Sequence, residues 1–587
     1  MILQALCDYY ERKADELPRL GFERKDIAFV IVLSEDGRFR DLEDTRDGEG
    51  KRKVARSFVV PQGIKKTSGI AANLLWDNVA YTLGEVSTAK AQKLTLDQLE
   101  QERARTGLAH HAFIRLLYER FPVEPRDIGV QAVIDFLERG DRAGLRSHPL
   151  WQEMLDTPGN VSFRLVGDAA LVCQRPAVVG AVATAGDDGA AASGVCLVTG
   201  NHDVVARLHP SVQGVRDAQS SGASLVSFNL PAFNSFGKEQ SFNAPVGRRA
   251  VFAYTTALSH LLRKGSRQSF QIGDATTVFW AEKAHPLEDN FADWFDVDND
   301  DPDRGTEAVR ALYAAPYTGQ RSIDEDGTRF FVLGLAPNAA RLAVRFWHCT
   351  TVGELARYLR QHFDDLALDQ PAADAPPLAL RPLLAATAVA GDYDNVPPKL
   401  AGDVMRAVLN GTPYPRTLLQ AAVGRTRAER FVGRARAALI KAVLRRDARF
   451  RNRESQEVDV SLDPANRNPG YRLGRLFAVL ERIQELANPG INATIRDRFY
   501  GSASAHPATA FPHLLKLKNH HLSKLDRPQL VTWLEKCIGE VMDGLDDLPR
   551  QLNLEDQGRF AVGYYHQRQA LFSKNTTNQN EIEGESA

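Results

Sequence analysis

The sequence lacks most of the marks of a secreted scaffold, a membrane protein or a nucleotide-driven enzyme. No uninterrupted apolar stretch approaches the roughly 20 residues of a membrane span. The opening MILQALCDYYERKADELPRL turns charged too soon for a signal peptide and predicts an amphipathic first helix, so the expected compartment is the cytoplasm. Five cysteines, Cys7, Cys173, Cys196, Cys349 and Cys537, are scattered with no CxxC pair, which argues against a disulfide framework and a common zinc pattern. A phosphate-binding GxxxxGK[ST] is missing, as is a GxGxxG between strand and helix. One sign of charge is missing too: 73 Lys+Arg against 74 Asp+Glu leave a net −1, unlike a non-specific nucleic-acid binder.

What remains is an ordinary globular composition, 43% hydrophobic and 25% charged, over 587 residues, enough for several domains. Residues 1–368 mix the two periodicities. DIAFVIVLSEDGRFRDLED, RSFVVPQG, VSFRLVGDAALVCQRPAV, GVCLVTGNHDVVARL and TTVFWAE read as strands. RFFVLGLAPNAARLAVRFWHC reads as two strands about a Pro337-Asn338 turn, while TLDQLEQERARTGLAHHAFIRLLYERF, RRAVFAYTTALSHLLRK and VGELARYLRQHFDDLAL read as helices. Residues 369–398 are Ala/Pro-rich and predict a linker. Residues 399–574 predict an all-helical bundle, and the polar residues 575–587 a disordered tail. The fold class expected is α+β: a mixed N-terminal part followed by a helical bundle.

Charge is segregated locally. Glu288–Asp303 holds eight carboxylates and no basic residue, whereas Arg425–Arg453 holds eleven basic residues and two acidic ones. In the basic run Arg427, Arg430, Arg434 and Lys441 fall near one face of a helix, with Arg445 and Arg449 following, a pattern open equally to phosphate binding or a solvated surface. Short catalytic patterns carry little weight. Lys66-Thr67-Ser68-Gly69 resembles a KTG element and Ser235-Phe236-Gly237-Lys238 an SxxK, but their order is reversed and Gly237 opposes the helix an SxxK nucleophile needs. Asp296, Asp298, Asp300 and Glu307 approach an EF-hand spacing, but Asp301 stands where the loop needs glycine. His202-Asp203 near His209 and Cys196 fits no common zinc spacing, and His110-His111 and His520-His521 are poor helical ligand pairs. No catalytic residue, metal or cofactor is expected.

Two irregular segments have the parts of a nucleic-acid reader. SFNLPAFNSFGKEQSFNAPVG, Ser227 to Gly247, contains three Phe-Asn pairs, Gln240, Lys238 and one carboxylate. Amides carry a donor and an acceptor together and can pair with base edges, while glycine admits a phosphate close to the backbone. Asn229, Asn234, Ser235, Gly237, Lys238, Gln240 and Asn243 form the first set of candidate contacts. The second comes from PQGIKKTSGIAANLLWDNVAYTLG: Lys65, Lys66, Thr67, Ser68 and Asn73. Each segment taken alone also reads as a turn-rich loop that satisfies its own backbone.

Read together with SGIAANLLWDNVAYTLG, GDATTVFWAE, VLGLAPNAARLAVRFW, VPPKLAGDVMRAVLNGTPYPRTLLQAAVGRTRAE and GRFAVGYYHQRQALF, these segments occur in the order of one family. The chain resembles, from about Met1 to Lys574, the large subunit of the type I-C CRISPR surveillance complex, Cascade. The resemblance implies a non-catalytic subunit that reads a short protospacer-adjacent motif (PAM) in target double-stranded DNA and promotes R-loop formation. It implies that the subunit helps hold the displaced single strand and docks a helicase–nuclease. The implied partners are CRISPR RNA, the backbone and repeat-end subunits, and a small helical subunit made by internal initiation in the same gene. Met405, or a non-AUG codon near Val458 or Val460, is a candidate start. The alternatives are an acyl-transfer enzyme using Ser235 and Lys238, and a purely structural scaffold.

Overall fold

The computed structural model describes residues 1–48, 53–64, 69–140, 142–184, 192–295, 307, 309, 326–369, 378–453 and 457–583, with 184 and 573–583 described by backbone alone. Lys65, Lys66, Thr67 and Ser68 lie outside the described residues, as do the Asp296–Asp300 loop and much of the acidic run. The fold is α+β. Two compact units form, Leu3–Pro210 with Ser227–Leu258, and Ser211–Val226 with Ser259–Ala587.

The first unit opens with α1 (Ile2–Arg12), which buries Ala5, Leu6, Cys7 and Tyr9 on one face as its periodicity predicts. β1 (Phe22–Asp26) comes next, and then β2 (Phe29–Leu33), whose run FVIVL is buried at every position. A strand apolar on both faces belongs in the middle of a covered sheet. β2 accordingly lies between β3 (Phe39–Asp44), antiparallel, and a later parallel strand. The Asp36-Gly37 turn needs its glycine: φ is +75°, and a Cβ there would lie 2.6 Å from the Cβ of Asp135. β4 (Ser57–Pro61) pairs with β1, and β5 (Trp76–Asn78) ends the main sheet. α2 (Leu96–Arg120) begins in a Thr95/Gln98 capping box. α3 (Ile128–Arg139) starts on the Asp127 carboxylate, stops at left-handed Gly140 and packs on the sheet. β6 (Asn160–Leu165) is the strand parallel to β2.

Past β6 the chain departs from the strand expected through Val178. Pro176 opens a helix instead, α4 (Pro176–Thr184), because its fixed φ suits a first helical turn and its missing N–H suits no ladder. β7 (Ser193–Val195) and β8 (His202–Val204) make a short hairpin, and α5 (Arg248–Leu261) ends the unit.

The second unit holds an antiparallel meander of β9 (Ser269–Ile272), β10 (Ala275–Ala281), β11 (Arg329–Asn338) and β12 (Arg341–Thr351). The β11–β12 turn falls two residues later than Pro337-Asn338, at Ala339-Ala340, where Ala339 takes φ +52°. α6 (Val352–Leu366) comes directly after β12. Residues 370–377 of the expected linker lie outside the described residues, but the chain beyond them packs: α7 (Leu380–Ala385) buries Leu380, Leu383 and Leu384. One apolar core contains Phe279 of β10, these leucines and Phe477 far down the chain, so the sheet and the helices share a unit and no boundary falls at 368. α8 (Pro398–Asn410), α9 (Arg416–Glu429), α10 (Arg434–Phe450), α11 (Pro469–Ala487), α12 (Ile495–Ala505), α13 (Pro507–Leu522), α14 (Pro528–Met542) and α15 (Leu554–Glu583) complete it. The backbone stays helical over 575–583, where disorder was expected, because a helix already nucleated propagates at one hydrogen bond per added residue. Residues 584–587 of that tail lie outside the described residues.

Candidate nucleic-acid interface

The amide-rich segment is a built loop rather than a floppy one. Two short 3₁₀ turns, Pro231–Phe233 and Gln240–Asn243, flank a two-residue hairpin turn at its tip. Phe236 and Gly237 occupy the centre of that turn with φ of +52° and +69°, and the Lys238 N–H donates to the Ser235 carbonyl at 2.9 Å. Paired positive φ values mark a type I′ turn. Ser235 and Lys238 therefore face each other across a turn, not along one turn of helix, and the SxxK spacing has no helical geometry behind it.

Asn243 holds the loop together. Its Oδ1 accepts from the Ser235 N–H at 3.0 Å, and its Nδ2 donates to the carbonyls of Lys238 and Gln240 at 3.1 and 2.9 Å. Those bonds commit its amide to the loop backbone, so of the residues picked out in sequence Asn243 is a scaffold and not a reader. Asn229, Asn234, Ser235, Gly237 and Lys238 are exposed, and Gln240 is half-buried. The Arg207 guanidinium donates to Oε1 of Gln240 at 2.7 Å, and the aromatic pair Phe228–Phe233 packs edge to face at 6.4 Å.

Asn73 has the same supporting role in the other segment. It is buried, its Oδ1 accepts from the Ile64 N–H at 2.9 Å, and its own N–H donates to buried Asp77 at 3.0 Å. It thus anchors the residue immediately before Lys65.

Arg207 and Gln62 line one cleft of about 960 Å³ together with Arg248, Arg249, Asp203 and Phe252. Gln62 belongs to the Pro61–Gly84 segment, and Arg207 bonds Gln240 of the amide loop, so the cleft adjoins both. The Asp203 carboxylate accepts from the Arg249 N–H at the start of α5 at 3.1 Å, and three arginines against this one carboxylate make the lining positive. A close approach locks the floor: a Cβ on Gly247 would lie 2.4 Å from Oδ2 of Asp203. Sequence reading missed Arg207, Arg248, Arg249 and Gln62, which only the fold assembles. It also passed over Phe236, although an aromatic residue before glycine inside a four-residue turn was a visible signal. His209 is not a ligand candidate: it is buried, its Nδ1 bonds the Tyr254 hydroxyl at 2.6 Å, and burial holds its pKa down at about 4. Among the described residues no three His, Cys, Asp or Glu side chains converge as a metal site.

The basic run divides. One helical face does not form, because the helix breaks at Arg430, which takes φ +56°, and restarts after Gly433. Arg427 and Arg430 are exposed, and Arg434 is half-buried. Arg445 pairs with Asp459, and Arg449 pairs with buried Asp365. Lys441 is fully buried inside the helical unit, so phosphates are out of its reach. Asp365 and Asp459 bring two carboxylates to a run with eleven basic and two acidic residues, so folding offsets only part of its positive charge.

Lys441 carries a testable cost. Its ammonium finds no hydrogen-bond partner among the described residues, and burial, reinforced by Arg445, lowers its pKa from 10.5 to about 8. The unfolded chain therefore binds more protons between about pH 8 and 10.5, stability rises with pH across that window, and the full cost is present below it. Lys441→Met should stabilise the helical unit by roughly 3 kcal/mol at pH 7, at 1.36 kcal/mol per pKa unit. Its advantage over wild type should shrink toward pH 10. Melting curves at both pH values check this, and an advantage that does not depend on pH would refute it.

A family model described as CRISPR-associated protein (Cas_Csd1) matches residues 6–572. The chain belongs to the Cas_Csd1 family. This is the family of the type I-C Cascade large subunit. No curated protein matches the chain. Among the described residues no helix of this Cas_Csd1 member is long and apolar enough to cross a membrane.

Proposed function

We propose that the chain is the non-catalytic subunit that reads the PAM in target double-stranded DNA for a cytoplasmic, RNA-guided type I-C complex. The observation that supports this reading is the pre-folded amide loop beside an arginine-lined cleft. Lys238, Asn229, Asn234 and Gln240 sample base edges, Asn243 and Arg207 hold their geometry, and Arg248 and Arg249 meet phosphates of the same duplex. CRISPR RNA pairing then reads the rest of the target, the division of labour of RNA-guided effectors. Lys65, Lys66, Thr67 and Ser68 form the second contact, and Arg427 and Arg430 grip the displaced strand. Backbone subunits, the small helical subunit and the helicase–nuclease dock on other surfaces.

The test is Lys238→Ala with Gln240→Ala in the assembled complex. The two losses together should weaken binding to motif-bearing duplex by roughly 30- to 25,000-fold, at about 1–3 kcal/mol for each of two base contacts, with assembly intact. Unchanged motif-dependent binding would mean that the loop is not the reader.

A further inference from the structure

Lys441 on α10 is completely buried, and His566 on α15 is 3% exposed. The two helices pack against each other. Neither the Lys441 ammonium nor Nε2 of His566 has a hydrogen-bond partner among the described residues. The carboxylates whose charge reaches the ammonium are engaged elsewhere. Asp365 pairs with Arg446 and Arg449, Asp459 pairs with Arg445, and Asp364 faces solvent.

Tyr471 on α11 sets the sense of the imidazole. Its hydroxyl accepts from the Asp463 N–H at 3.1 Å and lies 3.0 Å from Nδ1 of His566. The phenol therefore accepts once and gives its own proton to Nδ1. Burial, reinforced by Lys441, holds the His566 pKa down at about 4, so the ring is neutral and its one proton sits on Nε2. Two N–H donors, one of them charged, thus share an interior that supplies no acceptor. A buried ammonium without a counter-charge is costly, and a water bridging the two donors would bring no charge. The surroundings limit the size of an acceptor. One turn before His566, a Cβ on Gly563 would lie 2.2 Å from the Tyr471 carbonyl oxygen, so α11 and α15 meet backbone to backbone beside the cluster.

We infer that the Lys441 ammonium and the His566 Nε2–H bind a chloride-sized monoanion between α10 and α15. One negative charge matches the one ammonium, and a single atom with several lone pairs accepts from both donors. Phosphate, with four oxygens, is too large for a place where helix backbones touch. The anion offsets the cost of burying Lys441 and ties α10 to α15.

The test uses the full chain with chloride as the probe. Melting curves are recorded in sodium chloride and in sodium gluconate at equal concentration, gluconate being too bulky to enter. Lys441→Met reports the general effect of exchanging the salts, and it folds without the ammonium. Relative to that variant, wild type should gain roughly 2–4 °C in chloride, the effect of a small ligand several-fold above its Kd. The advantage of Lys441→Met over wild type should accordingly be smaller in chloride than in gluconate. Crystals grown in sodium bromide should show an anomalous peak within hydrogen-bond reach of both Nζ of Lys441 and Nε2 of His566. Equal salt responses in wild type and Lys441→Met would overturn the proposal. Bromide found at exposed arginines alone would mean an adventitious ion only, and would overturn it as well.

Discussion

Asp365→Asn should destabilise the helical unit by about 3–5 kcal/mol, seen as a lower urea midpoint for its unfolding transition with little change in slope. Asp365 and Arg446 are both completely buried, one on α6 and the other on α10. The Arg446 Nε donates to Oδ2 of Asp365 at 2.8 Å, and Nη2 of Arg449 donates to Oδ1 at 2.8 Å. Arg446 also reaches the carbonyls of Ala407 and Thr412, and its guanidinium lies 4.1 Å from the centre of the Tyr414 ring. The cluster is therefore a joint between α6, α10 and the α8–α9 connection. Asparagine preserves shape but removes the negative charge that makes a buried guanidinium tolerable. Removing both partners should cost less than removing one, because the apolar replacements leave no fully buried charge behind and Arg449 is partly exposed. The double variant Asp365→Leu with Arg446→Met should accordingly recover much of the loss. A double variant that loses the sum of the two single effects would show that the charges are not coupled.

Gly474→Ala should be nearly as damaging, with a loss of about 3 kcal/mol or more from overpacking, although alanine is the better helix former by about 1 kcal/mol. A Cβ at Gly474 would lie 2.0 Å from the Phe560 carbonyl oxygen. One turn earlier, a Cβ at Gly470 would lie 2.3 Å from the Asp556 carbonyl, and across the contact one at Gly563 would lie 2.2 Å from the Tyr471 carbonyl. The backbones of α11 and α15 touch along this line, and none of the three carbonyls can move as a side chain could. Pushing them apart also loosens Phe477 against Phe560 and Tyr564, which pack beside the crossing at 5.8 and 6.0 Å between ring centres. Gly539→Ala is the control. That glycine lies in α14 with open space around it, so the same substitution should stabilise by about 0.5–1 kcal/mol. Thermal melts of the two variants should move in opposite directions, and a common direction would refute the contact.

Local chemistry made much of the fold legible. DIAFVIVLSEDGRFRDLED reads as two strands because its apolar residues are mostly branched or aromatic, and β2 and β3 lie in it. VGELARYLRQHFDDL shows helical spacing, and α6 bears it out. Failures cluster where a distant partner decides. Arg425–Arg453 resembles one basic helix until Asp365 and Asp459, remote in sequence, arrive beside its charges. The Ala/Pro composition after Asp369 resembles a spacer until Leu380, Leu383 and Leu384 meet a core that no local pattern announces.

For the interface, the residue types of the amide loop and the left-handed turn at Phe236-Gly237 are written locally, since turn chemistry depends on four neighbouring residues. Family membership is likewise carried by the order of residues alone. Which amides face outward was decided by tertiary structure: Asn243 and Asn73 turn inward because loop carbonyls and N–H groups need partners. The arginine cleft exists only after folding, because Gln62, Arg207 and Arg248 are separated by long stretches of chain and a charge acts through space rather than along sequence.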